Sequence, residues 1–125
     1  MSMISTHMLD AMLGKPAEGV AVRLEEQRGG GWEARNDSGR VYDLLGTWVE
    51  VARGVTDADG RCRDLATDAK EGVYRLRFET GAYLMSKGRS SIYPEISITF
   101  ACDGKTNYHL PLLLSDNSYT TYRGS

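Results

Sequence analysis

Two stretches decide the fold: Tyr74-Arg75-Leu76-Arg77-Phe78 and Ile96-Ser97-Ile98-Thr99-Phe100. In each, apolar and polar side chains alternate residue by residue, which gives an extended chain one face for a core and one for solvent. Val20, Val22 and Leu24 alternate with Ala21, Arg23 and Glu25 in the same way. Trp48 to Ala52, Met8 to Asp10 and Tyr108 to Leu114 read as further strands. Pro111 cannot donate to a ladder, so it suits an edge or a bulge better than the middle of a sheet. Turn chemistry separates the strands at Gly14-Lys15-Pro16, Asp57-Ala58-Asp59-Gly60 and Asp103-Gly104-Lys105. Gly81 to Lys87 reads as one short helix stopped by Gly88. Many short strands and almost no helix predict an all-β sandwich of two antiparallel sheets.

The chain has 125 residues, enough for one core, and no linker or repeat divides it, so residues 1–125 read as a single domain. Gln27 to Leu45, with Gly29-Gly30-Gly31 and a polar run behind it, reads as a long mobile hairpin loop. A phosphate cradle would need a Lys-Ser/Thr sequel or a strand-to-helix context, and neither follows. Fifteen basic residues against seventeen acidic ones give a net charge of −2, with no basic cluster for a nucleic acid or an anionic membrane. No apolar run is long enough to span a bilayer, and the start lacks the pattern of a secretory signal, so a cytoplasmic protein is expected. Cys62 and Cys102 have no metal-type spacing. Reduced, partly buried thiols are expected, with a disulfide between them left open.

The residues able to move protons near neutral pH are few. His7 and His109 are the only two histidines. By alternation His7 faces opposite Met8, and His109 points opposite Tyr108 and Leu110 and shares a face with Pro111 and Leu113. Arg61 follows the Asp59-Gly60 turn. Taken singly, each is more often structural than catalytic. There is no nucleophile elbow and no metal-ligand pattern. A catalyst built from these residues would use histidine for proton transfer and arginine for charge. The end of the chain, Thr121-Tyr122-Arg123-Gly124-Ser125, places an aromatic ring, a guanidinium and a hydroxyl behind an apolar run, which implies a tail that is held in place.

Several motifs together resemble the 5-hydroxyisourate hydrolases, also called transthyretin-like proteins. Thr6-His7-Met8-Leu9-Asp10 followed by Gly14-Lys15-Pro16-Ala17 resembles their opening motif, and Thr56-Asp57-Ala58-Asp59-Gly60-Arg61 their second. Gly72 to Phe78 and Tyr93-Pro94-Glu95 match central strands. Tyr108-His109-Leu110-Pro111-Leu112-Leu113-Leu114-Ser115 and Tyr119 to Ser125 resemble the C-terminal signature. The likeness runs from about Ser5 to Ser125 and implies the transthyretin-like sandwich.

In that family the positions of His7, Arg61 and His109 form the catalytic site, with Tyr122, Arg123, Gly124 and Ser125 beside the substrate. In transthyretin, the hormone carrier of the same fold, other residues stand at both histidine positions and the Tyr-Arg-Gly-Ser ending is absent. The resemblance therefore implies hydrolysis of 5-hydroxyisourate, a small molecule of urate catabolism, to 2-oxo-4-hydroxy-4-carboxy-5-ureidoimidazoline. It implies a homotetramer and no metal or organic cofactor. Two departures stand out: the longer, polar region over 27–54, and Asn107 where many members carry a further histidine. A carrier of a planar ligand and a purely structural sandwich are the competing classes. In the structural case His7, Arg61, His109 and Tyr122 would be scattered.

Overall fold

The structure, a computed structural model, describes residues 1–29, 31–34 and 40–124. Among the described residues, eleven strands and one helix follow in chain order: β1 (Ser2–Asp10), β2 (Lys15–Pro16), β3 (Ala21–Arg28), β4 (Gly31–Ala34), β5 (Arg40–Asp43), β6 (Thr47–Val55), β7 (Arg61–Ala69), β8 (Gly72–Phe78), α1 (Thr80–Ser86), β9 (Ile96–Cys102), β10 (Tyr108–Leu114) and β11 (Tyr119–Thr121). One sheet has the order β11-β10-β1-β2, with β7 also paired to β1, and the other the order β6-β3-β8-β9. The expected sandwich is present. Its first sheet is mixed, because β1 and β10 run parallel while the remaining pairs are antiparallel.

Alternation explains the core. Ile4 and Met8 of β1, Leu110, Leu112 and Leu114 of β10, Val22 and Leu24 of β3, Leu76 and Phe78 of β8 and Ile96 of β9 point inward and form one cluster. Each fully buried side chain of this size contributes roughly 1.5–3 kcal/mol. Cys62 and Cys102 are both buried and free within it. No helix among the described residues is long and apolar enough to cross a membrane.

Three features depart from the sequence reading. Strand β7 went unseen because its inward residues, Cys62, Leu65 and Ala69, break period two. Asp64 takes a left-handed φ of 52° and the β1–β7 register shifts twice, which is the mark of bulging. Part of the Gln27–Leu45 loop is regular: β3 runs to Arg28, and β4 and β5 pair as an antiparallel hairpin from Gly31↔Asp43 to Ala34↔Arg40. Trp32, Val41 and Tyr42 are residue types that favour strands and outweigh the glycines before them. Residues 30 and 35–39 of that loop lie outside the described residues.

Third, Pro111 is not at an edge, since β10 has neighbours on both sides. Odd-numbered residues of β10 turn their backbone groups toward the C-terminal tail: the Gly124 N–H donates to the His109 carbonyl at 2.7 Å and the Thr121 hydroxyl to the Pro111 carbonyl at 2.8 Å. Even-numbered residues face β1, as the Ala11 N–H to Leu114 carbonyl bond shows. The missing N–H of Pro111 thus falls opposite Tyr122, and the tail ladder is interrupted there.

The end of β1 is locked by Asp10, which is fully buried. Its carboxylate accepts from the Tyr83 hydroxyl of α1 (2.8 Å), from both terminal nitrogens of Arg89 (2.6 and 3.2 Å) and from the N–H groups of Met12 and Leu13. Arg89 also pairs with Asp116 at the β10–β11 turn. Burial pushes the Asp10 carboxyl up, but the bonds from Arg89, Tyr83 and Leu13 outweigh it, and the net direction is down.

Asp10→Asn is therefore expected to cost about 3–5 kcal/mol, because it leaves Arg89 without its buried counter-charge. The unfolding midpoint should fall by about 10 °C or more. A carboxyl lowered on folding stabilises above its unfolded pKa of about 3.9, and that contribution is lost as pH falls through the folded value. The stability gap between wild type and variant should therefore be full at neutral pH and close in acid. Thermal melts across pH check both.

Candidate functional site

The outward face of the mixed sheet is set by the same alternation. Ser2, Ile4, Thr6, Met8 and Asp10 are buried, so Met3, Ser5, His7 and Leu9 point away from the core. The register then fixes the neighbours. His7 pairs with Arg61 across the antiparallel β1–β7 contact, and Ser5 pairs with His109 across the parallel β1–β10 contact. Arg61, His7 and His109 thus lie on one face across three adjacent strands, with the two imidazole centroids 6.5 Å apart.

The Asp57–Gly60 turn delivers Arg61. The Asp57 carboxylate accepts from the N–H groups of Asp59 and Arg61, both at 2.9 Å, and the Asp57 N–H donates to the Arg61 carbonyl. The Met8 N–H donates to the Gly60 carbonyl at 2.7 Å. Gly60 has φ +77°, and a Cβ there would come within 2.2 Å of the Met8 carbonyl oxygen, so only glycine fits. The turn also sets a histidine tautomer. His7 Nε2 lies 2.9 Å from the Asp59 carbonyl oxygen. A carbonyl only accepts, so His7 Nε2 carries a proton and the lone pair of the neutral ring is on Nδ1.

His109 Nδ1 lies 2.8 Å from Ser5 Oγ. Burial lowers the His109 pKa below the ordinary imidazole value, and the charges of Arg61 and His7 lower it further. The ring is held neutral and able to accept a proton near pH 7.

The tail reaches this face through Gly124. Its N–H bond to the His109 carbonyl continues the β10–β11 register past the break at Pro111. A Cβ on Gly124 would sit 2.9 Å from His109 Cδ2, so a larger residue would displace the ring. Arg123 goes elsewhere: its guanidinium lies over the Tyr108 ring, 4.2 Å from the centroid, and donates to Thr106 Oγ1 and the Asn107 carbonyl, both at 2.9 Å. Tyr108 points opposite His109, so Arg123 clips the tail from the far side of β10. Tyr122 is 53% exposed. Ser125 lies outside the described residues.

Met3, Ser5, Asn107, His109 and Gly124 line a recess of about 230 Å³ beside the imidazole. The Asn107 side-chain oxygen accepts the Met3 N–H at 3.0 Å, where a further histidine was the family expectation. A larger cleft of about 380 Å³ opens between β6 and β7, but neither histidine lines it. Two polar contributors were missed in the sequence reading, Ser5 and the Asp59 carbonyl. Ser5 is two residues from His7 and so shares its face, which alternation alone could have shown. Its contact with His109 depends on a pairing 104 residues apart.

Known proteins share this arrangement of strands. Residues 4–124 match the model of the HIUase/Transthyretin family. The 5-hydroxyisourate hydrolase of Mus musculus is 38% identical over 127 residues, covering 99% of this chain and 96% of its own. The structure of the Klebsiella pneumoniae 5-hydroxyisourate hydrolase superposes with a TM-score of 0.79 at 35% identity, covering 100% of both chains. Transthyretin from Sparus aurata superposes equally well, with a TM-score of 0.80 at 31% identity over 97% of this chain and 95% of that one. A match over nearly the full length, in sequence and in strand arrangement, places this chain in the HIUase/transthyretin family.

Proposed function

We propose that this chain is a 5-hydroxyisourate hydrolase of urate degradation, with His7, Arg61 and His109 as its catalytic residues. The observation that carries the reading is their convergence on one sheet face, beside a tail that closes on His109. His109 is the general base, because its lowered pKa keeps the ring neutral. It takes a proton from water as the oxygen attacks the ring carbonyl. Arg61 faces the oxyanion that forms. The C–N bond then breaks, the proton on His109 passes to the leaving nitrogen, and the new carboxylic acid releases its proton to solvent to become a carboxylate. His7, its Nε2 tied to Asp59, offers Nδ1 to hold the attacking water.

Gly124 and Tyr122 border the substrate, and Arg123 contributes by pinning the tail to Tyr108. The outward face of the mixed sheet, with half-buried Leu9 and Leu113 and exposed Tyr122, is the surface on which cytosolic homotetramers assemble.

Freshly generated 5-hydroxyisourate should decay faster with the protein than without it. Decay at the spontaneous rate, together with tight binding of a planar aromatic ligand, would identify a carrier instead. His109→Ala should lower kcat/KM by about 10²–10⁴-fold, and Arg61→Gln by about 10²–10³-fold, both with unchanged melting. The neutral base exists above the His109 pKa, so activity is lost as pH falls through that lowered value. Arg61→Gln removes a charge that depresses it, and the acid limb of the pH–rate profile should move to higher pH. Deleting residues 122–125 should impair turnover far more than it impairs folding.

A further inference from the structure

We propose that Ser5 is a positioning residue that fixes the tautomer of His109. The inference rests on the general-base role given to His109 above. A neutral imidazole has one N–H and one lone pair. If the Ser5 hydroxyl donated to Nδ1, the ring proton would sit on Nε2 and His109 would have no lone pair left for water. The base can work only with the opposite polarity, with Nδ1–H donating to Ser5 Oγ across the 2.8 Å contact and Nε2 free.

The surroundings leave Ser5 as the partner of Nδ1. Ser5 faces His109 directly in the parallel register, so the oxygen is aimed by two backbones rather than by a mobile loop. Desolvation and the positive charge of Arg61 disfavour a second ring proton, so a single proton must be shared between two nitrogens. On the tail side the ring is bounded by Gly124, where a Cβ would sit 2.9 Å from Cδ2. Ser5, accepting from Nδ1–H, would keep the proton there and leave Nε2 free. The carbonyl of Asp59 does the same for His7 with the opposite outcome, Nε2–H and a free Nδ1. The two histidines present different nitrogens because their hydrogen-bond partners differ.

The test uses the full-length protein with ¹⁵N-labelled histidine. Above the His109 pKa, its Nδ1 should resonate as a protonated, pyrrole-type nitrogen and its Nε2 as an unprotonated, pyridine-type one. In Ser5→Ala the Nε2–H form should grow in, and kcat should fall about tenfold with KM little changed, the loss of one neutral hydrogen bond. Ser5→Thr keeps the hydroxyl and should restore both the spectrum and kcat. An Nε2–H tautomer in the wild type would overturn the proposal, as would an unaltered tautomer in Ser5→Ala. The wild-type and Ser5→Thr spectra decide the matter even where Ser5→Ala fails to fold. If the spectra behave as expected but no wild-type turnover of 5-hydroxyisourate is seen, the hydrolase reading fails while the tautomer assignment stands.

Discussion

The parallel pairing of β1 with β10 is the constraint on which the site depends. It sets Ser5 and His7 beside the strand that carries His109, while Arg61 reaches the same face from β7 on the other edge of β1. The Thr6 hydroxyl, fully buried, donates to the Leu110 carbonyl at 2.6 Å and holds the two strands in register. That register puts Ser5 beside His109 and His7 beside Pro111. A slip of one residue would turn His109 into the core and Tyr108 out of it. The register is therefore protected by the burial of Ile4, Met8, Leu110 and Leu112 as much as by hydrogen bonds.

Strand β1 carries a second burden. Its other edge holds β7 and β2, so it is central to the sheet although it opens the chain. The Asp10 cluster fastens its far end to α1 and to the β10–β11 turn. The Asp57–Gly60 turn fastens its middle through the Met8 and His7 contacts. The candidate face is thus built on a strand restrained at several points, which suits a site that must hold donors and acceptors within a few tenths of an ångström.

Much of the fold was legible because period two survives wherever a strand is regular. Val20 to Leu24, Tyr74 to Phe78 and Ile96 to Phe100 each carried their burial pattern openly, and α1 was marked by Gly88. Strand β7 was not legible, since its bulge at Asp64 places Cys62 and Leu65, three apart, on the same inward face. Pro111 misled for a related reason. Proline is excluded from a ladder only on the side where its N–H would point, and β10 turns that side to a tail that is already broken. At the site, alternation put His7 and His109 on outward faces, and motif resemblance grouped them with Arg61. Neither could reveal hydrogen-bond partners brought together by topology, such as Ser5 for His109 or Tyr108 for Arg123.

Under the proposed mechanism, the electrostatics of the face give a reason for a cation beside a base. A guanidinium near a carbonyl stabilises the negative charge that forms on attack, and it is worth most where water is excluded. The same charge lowers the pKa of a neighbouring imidazole, which weakens it as a base but raises the fraction that is neutral at a given pH. With an unperturbed value of about 6.5, histidine is close enough to neutrality that a downward shift leaves nearly all of it deprotonated at pH 7. Burial acts in the same direction, so the two contributions reinforce each other at His109. The proton that remains on the neutral ring must then be kept away from the reacting nitrogen, and no charge can do that. A hydrogen-bond acceptor at the other nitrogen can. Burial and Arg61 thus disfavour a second proton on His109, and in the proposed assignment Ser5 sets where the remaining one sits.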